Sequence, residues 1–321
     1  MKQQSFASLA YENKKKKTRR ELFLAEMEQV VPWSLLESLV EPHYPKGANG
    51  RPPMGLSKML RIYCLQQWFN LSDPGMEDAL YDIEAMRRFA GFELGVDAIP
   101  DESTILLFRR LLERHELTDQ FFLQINAYLK ERGLIVQEGT MVDATIIHAP
   151  SSTKNKDKAR DPDMSSTKKG NQWYFGMKVH IGVDPTNRVT HSMIVTTARV
   201  HDSKMLDECL HGEEKAIWGD KGFASNERRD EFESQGKEWN VHRKGSKGKP
   251  LSEEDKAWNK AQSKTRAKVE HPFLVVKQLW GHAKVRYRGL EKNAQHYFSL
   301  FALTNLYLVR RKLLQLQERT A

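Results

Sequence analysis

The chain has 321 residues, enough for one large domain or two modest ones with proper cores, and 51 Lys and Arg against 42 Asp and Glu leave a formal net charge of +9. That excess calls for an anionic partner, with nucleic acid the commonest and a membrane surface the competitor. The polar start MKQQSFASLAYENKKKK carries no apolar signal core, and the best apolar run, FSLFALTNLYLV, is too short to span a bilayer, so the expectation is a soluble protein inside the cell with no membrane partner.

The like-charged block KKKKTRR at 14–20 reads as a solvated arm or a DNA contact. A helix is expected to start at Thr18, because TRRE is a capping box in which the hydroxyl caps one end and Glu21 reaches back. Pro32 ends or kinks it, SLLESLV continues as a short helical piece, and EPHYPKGANGRPP is a linker. From Leu56 to about Gly133 every segment has helical periodicity, with Asp73 before Pro74 expected as an N-cap and Gly91 and Gly133 suited to left-handed ends. The helices at 75–89 and 102–116 fit either a DNA-reading helix-turn-helix, offering Arg109, Arg110 and Arg114, or an ordinary bundle with solvated arginines. Cys64 and Cys209 stand alone, which excludes a disulfide framework, and both read as core residues.

After Gly133 short apolar runs alternate with turns. GTMVDATIIH, WYFGMKVHIGVD and RVTHSMIVTTA read as three consecutive strands, the last two joined by DPTNR. A helix HDSKMLDECL, a strand KAIWGD, a helix SNERRDEFESQG and a strand EWNVHRK follow, then a helical zone from about Ser252 to Trp280 and a last helix from about Asn293 to Glu318. Asp202 is read as the N-cap of the first of these helices. The order β-β-β-α-β-α-β-α argues for a mixed sheet with helices on its faces, the chain order of a ribonuclease-H-like domain. PSSTKNKDKARDPDMSSTKKGNQ and RKGSKGKP are nearly without apolar residues and read as mobile basic loops. The expected division is a basic arm with the first helices over 1–50, a helical DNA-binding domain over 51–133, the catalytic domain over 134–292 and a C-terminal helix over 293–321.

Three acids could carry chemistry. Asp143 sits among β-branched residues in MVDATII, where a buried carboxylate needs compensation from a cation, an Arg or backbone amides. Asp220 ends AIWGD, beyond a strand's carboxyl end, where open sheets bind ligands. Glu270 shares a helical face with Arg266 and Lys277, although Pro272 predicts a kink just past it. Two strands and a helix can bring three carboxylates together around two divalent cations, and oxygen-only ligands suit Mg²⁺ or Mn²⁺. Each acid also has an ordinary reading: an ion pair, a turn cap, a surface i,i+4 pair.

PWSLLESLVEPHYPK, LSDPGMEDALYDI, TMVDATIIHAPSSTKNK, KKGNQWYFGMKVHIGVD and RAKVEHPF resemble characteristic segments of the IS5 family of bacterial insertion-sequence transposases along nearly the whole chain. By that resemblance Asp143, Asp220 and Glu270 match the family's three catalytic and metal-holding acids. Two departures stand out. Ser263 occupies the place where the related IS4 signature has a tyrosine, and Lys221 separates Asp220 from Gly222. The resemblance implies a ribonuclease-H-like catalytic domain behind a helical region that recognises terminal inverted repeats, magnesium dependence with two ions per site, and action as at least a dimer on the DNA ends and target. It also implies a cytoplasmic, nucleoid-associated protein. Arg266 and Lys277 are expected to hold phosphates beside the ions. Lys168, Lys169, Lys178, Arg109 and Arg110, with Lys284, Arg286 and Arg288 of GHAKVRYRGLEKN, complete the expected DNA contacts. Trp173, Trp218, Trp258 and Trp280 are either core residues or stacking surfaces for unpaired bases. His148, His180 and His271 read as structural.

Overall fold

The computed structural model describes Tyr11 and residues 14–47, 52–156, 158–246 and 248–320. Linker positions 48–51 and one position in each basic loop, 157 and 247, lie outside the described residues.

Local signals place the first helices. In α1 (Arg19–Val30) the Thr18 hydroxyl accepts from the Glu21 amide at 3.2 Å, and the Glu21 carboxylate accepts from the Thr18 amide at 2.7 Å. Pro32, unable to continue α1, becomes the first residue outside α2 (Trp33–Val40). Helices α3 (Leu56–Phe69), α4 (Asp73–Asp82), α5 (Glu84–Phe89), α6 (Glu102–Arg114) and α7 (Leu117–Glu131) follow. The cap of α4 is Ser72 rather than Asp73: the Ser72 hydroxyl accepts from the Gly75 amide at 3.0 Å, which frees the Asp73 carboxylate for Gln66 and Arg109. Gly91 and Gly133 do adopt left-handed backbone, with φ of 77° and 66°.

The sheet contains β1 (Gly139–His148), β2 (Ser165–Lys169), β3 (Gln172–Val183), β4 (Thr190–Thr197), β5 (Ala216–Gly219) and β6 (Glu238–Val241). Its order is β2-β3-β1-β5-β6, with β4 also paired to β3. The pairs β1/β3, β2/β3 and β3/β4 are antiparallel, whereas β1/β5 and β5/β6 are parallel. This mixed order, with helices on both faces, is ribonuclease-H-like. The 150–172 segment is not loop throughout, because SSTKK forms β2 and turns back onto β3 across Gly170 at φ 62°. HDSKMLDECL forms two short 3-10 turns, Asp202–Met205 and Asp207–Cys209, instead of a helix.

One sheet face supplies Met141, Ile147, Met177, Val179, Ile181 and Val183 to a core that continues into the N-terminal helices; the other packs Val142 and Ile217 against Leu206, Phe223, Phe232 and Trp239. α8 (Asn226–Ser234), capped by Ser225, covers this second face. The 31-residue α11 (Leu290–Thr320) packs on α7, α1 and β4 and joins the helical part to the sheet. Buried Asn305 accepts from the Thr190 amide at 2.9 Å and donates to the Thr190 carbonyl and the Asn126 side chain. Among the described residues no helix is long and apolar enough to cross a membrane.

Candidate active site

The site exists because β5 is short. It runs beside β1 only along Gly139–Met141, so beyond Met141, until His148 is bridged to Lys284, that flank of β1 has no strand partner and borders an open cleft of about 730 Å³. Asp143 lies two residues past the last one paired with β5, still held by β3 opposite Ile181, and Asp220 follows the end of β5. Glu270 comes from the helical chain on the opposite wall, and all three acids line this one cleft.

That wall changes helix type repeatedly. α9 (Glu253–Arg266) tightens to a 3-10 turn over Ala267–Val269, resumes as α10 (Glu270–Leu274) and widens to a π turn over Val275–Leu279. Pro272 has no amide for the Lys268 carbonyl, and the His271 ring nitrogen Nδ1 sits 3.1 Å from that oxygen instead. The expected irregularity is therefore spread over both sides of Glu270. Arg266, Glu270 and Lys277 nevertheless reach the same cleft.

Asp143 holds the most constrained carboxylate of the three. One oxygen accepts from the Ala144 amide at 2.8 Å and the other from the Arg266 guanidinium at 3.1 Å. Burial pushes its carboxyl up to about 6; Arg266 and the Ala144 amide oppose the rise, and the negative charges of Asp220 and Glu270 add to it. Arg266 stands between two of the acids, with Nη1 3.8 Å from the Glu270 carboxylate and a buried Nε that has no hydrogen-bond partner. Asp220 accepts from the Gly222 amide at 2.7 Å, so the Lys221 insertion leaves a tight turn that fixes the carboxylate. Glu270 is mostly exposed. Among the described residues, no three His, Cys, Asp or Glu side chains stand close enough to hold a metal ion as they are.

Cations line the remaining walls. The Lys277 ammonium donates to the Thr145 hydroxyl at 3.0 Å and the Ile146 carbonyl at 3.1 Å, the latter on the unpaired flank of β1. Burial, then the charge of Lys169, lowers its pKa. Lys168, Lys169, Lys178 and Arg199 share the cleft. Lys178 is buried and committed to the Val200 carbonyl and the Asp202 carboxylate, at 2.7 and 2.8 Å.

Asp202 is not the cap of its segment. His201 caps it, its Nδ1 accepting from the Ser203 amide, while Asp202 turns into the cleft beside Lys178 and 3.8 Å from His180. Asp202, set aside in the sequence as a cap, and Arg199, which the sequence did not single out, are both cleft residues, since only the folding of β4 against β3 carries the following turn to the mouth.

The expected DNA contacts divide. Arg110 is exposed on α6, Lys284 is exposed beside the end of β1, and Arg288 is exposed four residues further on. Arg109 is turned inward, paired with Asp73 and Glu113 and stacked 4.6 Å over Tyr287, so it ties α4 and α6 to the chain before α11. Arg286 is likewise spent on Asn70 and the Leu71 carbonyl. Both read as structural ties and not as phosphate contacts. Trp280 is buried, Trp218 half-buried with its ring nitrogen donating to Gln262, and Trp258 stacks on Arg243; Trp173 is exposed.

A ribonuclease-H-like sheet with one acid inside a strand, a second just beyond the end of its parallel neighbour and a third on a facing helix defines a class of polynucleotide-processing domain. The family model described as Transposase DDE domain matches residues 136–306, and that described as Transposase domain (DUF772) matches 11–111. The chain belongs to the DDE transposases and is an enzyme of that family. Among solved structures, it is similar to the piggyBac transposase synaptic complex with hairpin DNA, at 9% identity over 93% of this chain and 76% of that one, with a TM-score of 0.47. A match to the Mos1 strand transfer complex has 11% identity over 76% of this chain and 82% of that one, with a TM-score of 0.20.

Proposed function

We propose that this DDE transposase is of the insertion-sequence IS5 type: it binds the terminal inverted repeats of its element, cleaves at the ends and joins the freed 3′-hydroxyl to target DNA. Asp143, Asp220 and Glu270 are its catalytic acids. The observation that carries this reading is their convergence on one cleft with Arg266 and Lys277, in a chain of this family. The near-complete run of IS5-like segments, from PWSLLESLVEPHYPK to RAKVEHPF, supports the narrower assignment.

The donor chemistry fits a hard divalent cation. All three groups are carboxylates, and the burial of Asp143 leaves a charge that one guanidinium only partly compensates. Asp143, Asp220 and Glu270 would hold Mg²⁺, with Mn²⁺ a substitute and two ions the expected complement. When bound, the ions supply charge stabilisation to the attacking and leaving oxygens of an in-line phosphoryl transfer. The spacing is not yet that of a closed site. Exposed Glu270 is the member free to turn inward, and Arg266 must leave Asp143 for both of that carboxylate's oxygens to become available.

The chain's own residues then divide the work. Arg266, once released, presents a planar fork to a phosphate, and Lys277 offers a point charge fixed against the edge of β1. Lys168 and Lys169 extend the positive wall outward, and exposed Arg110, Lys284 and Arg288 supply contacts farther along the duplex. Two element ends must be cut and joined together, so at least two copies of the chain act on the DNA.

The test is incubation of the purified chain with Mg²⁺, DNA bearing the element's own ends and a target plasmid. Joined products are expected, and single alanine substitutions at Asp143, Asp220 or Glu270 should abolish them while leaving binding to the ends intact. Cutting without joining would make the protein a nuclease, and binding without cutting by the unaltered chain would make it a DNA-binding relative.

A further inference from the structure

We propose that the tip of the β2–β3 ribbon is a stacking platform for an unpaired nucleobase of the DNA strand in the acid cleft, with Trp173 as the stacking surface and Lys168 and Lys169 as its phosphate contacts. The proposal rests on the reading of that cleft as a DNA-processing site.

Topology isolates the ribbon. β1 pairs with β3 only from Gly176 onward, and the last backbone tie at that corner is the Ala149 amide donating to the Phe175 carbonyl at 2.9 Å. Residues 172–174 are paired only with β2, so the two strands run on past the sheet as a narrow hairpin. Gly176 sets the exit, for at φ 156° an added Cβ would lie 2.0 Å from the Ile147 carbonyl oxygen.

On this hairpin Trp173 is 68% exposed. Tryptophan has the largest apolar surface of any side chain, and leaving it in water forfeits burial that a core position would supply. Phe175, two residues on and facing the same way, is packed against the main core, so the ribbon places one aromatic inside and the next one out. The residue directly across from Trp173 is Lys168, on the same face of the ribbon. Lys168 and Lys169 both line the acid cleft, and neither forms an ion pair among the described residues.

An aromatic plane beside the unpaired Lys168 ammonium, with Lys169 on the other face of the same ribbon and both lysines on the rim of the cleft, fits a nucleic-acid strand, which offers base faces and phosphates in alternation. It selects an unpaired base. In a duplex both faces of each base are covered by neighbours, so the indole gains nothing beyond the lysine contacts, whereas a base freed at a nicked or cut end has a face to offer. Apolar protein partners are disfavoured by the two lysines, and the ribbon carries no acid of its own to balance them.

The experiment compares a blunt duplex with the same duplex bearing a short single-stranded tail, with 2-aminopurine at the first unpaired position, in EDTA so that no cutting occurs. The full chain is used with Trp173→Ala and Trp173→Phe. The unaltered chain should quench the 2-aminopurine and prefer the tailed DNA. Trp173→Ala should lose quenching and weaken tailed binding about tenfold with blunt binding unchanged, and Trp173→Phe should keep part of both. Equal effects on blunt and tailed DNA, or unchanged quenching in Trp173→Ala, would overturn the platform. So would sedimentation showing that Trp173→Ala splits an oligomer while tail preference persists, since the ribbon would then be a contact between copies. Failure of the unaltered chain to bind either DNA would instead refute the reading of the cleft.

Discussion

Asp143 and Arg266 answer each other across the cleft, and their pairing gives the site its metal-free character. A carboxyl whose folded pKa is raised to about 6 binds a proton more tightly folded than unfolded. Its favourable contribution is therefore complete at pH below about 4 and is lost as pH rises through 6. At pH 8 the charged form is a net burden, so Asp143→Asn should stabilise the metal-free protein by on the order of 1–3 kcal/mol in denaturant unfolding, while abolishing cutting. Arg266→Gln should do the reverse, costing about 2–3 kcal/mol by stranding a half-buried carboxylate. The double substitution should recover most of that cost. Additive effects in this cycle would show that the pair is not coupled.

At the scale of elements, what could be read from the sequence was whatever rests on neighbouring residues. The Thr18 box, the Ser225-capped helix and β1 at Gly139–His148 were legible because caps and alternation are local. β2 was not, since SSTKK has no apolar alternation and becomes a strand only through hydrogen bonds to β3. Asp73 and Asp202 both looked like caps, and both were drawn away by tertiary cations, Arg109 and Lys178. The three acids singled out in the sequence line one cleft, but spacing along the chain could show neither that they meet there nor that Arg266 is seated on one of them. Gly176 gives the element-scale prediction: Gly176→Ala must push a methyl into the Ile147 carbonyl, so it should cost more than about 3 kcal/mol or leave the chain insoluble. Gly170→Ala at the hairpin tip meets nothing within 4 Å and suffers only its left-handed φ, about 1 kcal/mol. Thermal unfolding of the two variants checks the contrast.

Over the whole molecule, α11 is the part that makes helices and sheet one body, and its surroundings carry buried neutral histidines. Burial lowers His282 to about 4 and His296 further, their rings facing each other with nitrogens 3.2 Å apart; His191, between Thr140 and Ser192, falls to about 3. Each has a folded pKa below its unfolded value near 6.5, so the unfolded chain takes up protons first as pH falls. The contribution of each ring is thus full above 6.5 and falls by about 1.4 kcal/mol per pH unit below it, down to about pH 4 for His282 and about pH 3 for His191. Between pH 6.5 and 5, stability should fall less steeply in His191→Asn than in the unaltered chain, by about 1.4 kcal/mol per pH unit in denaturant unfolding. Identical slopes in the two proteins would mean that the His191 ring is protonated in the fold.

The central claim, that Asp143, Asp220 and Glu270 form the metal-holding catalytic set, is tested most directly by counting Mn²⁺ ions bound to the protein–DNA complex by electron paramagnetic resonance. The count should approach two for the unaltered chain, fall in Asp143→Asn, Asp220→Asn and Glu270→Gln, and stay unchanged in Asp202→Asn. Full occupancy in any of the first three, or loss in Asp202→Asn with Asp220→Asn spared, would contradict it.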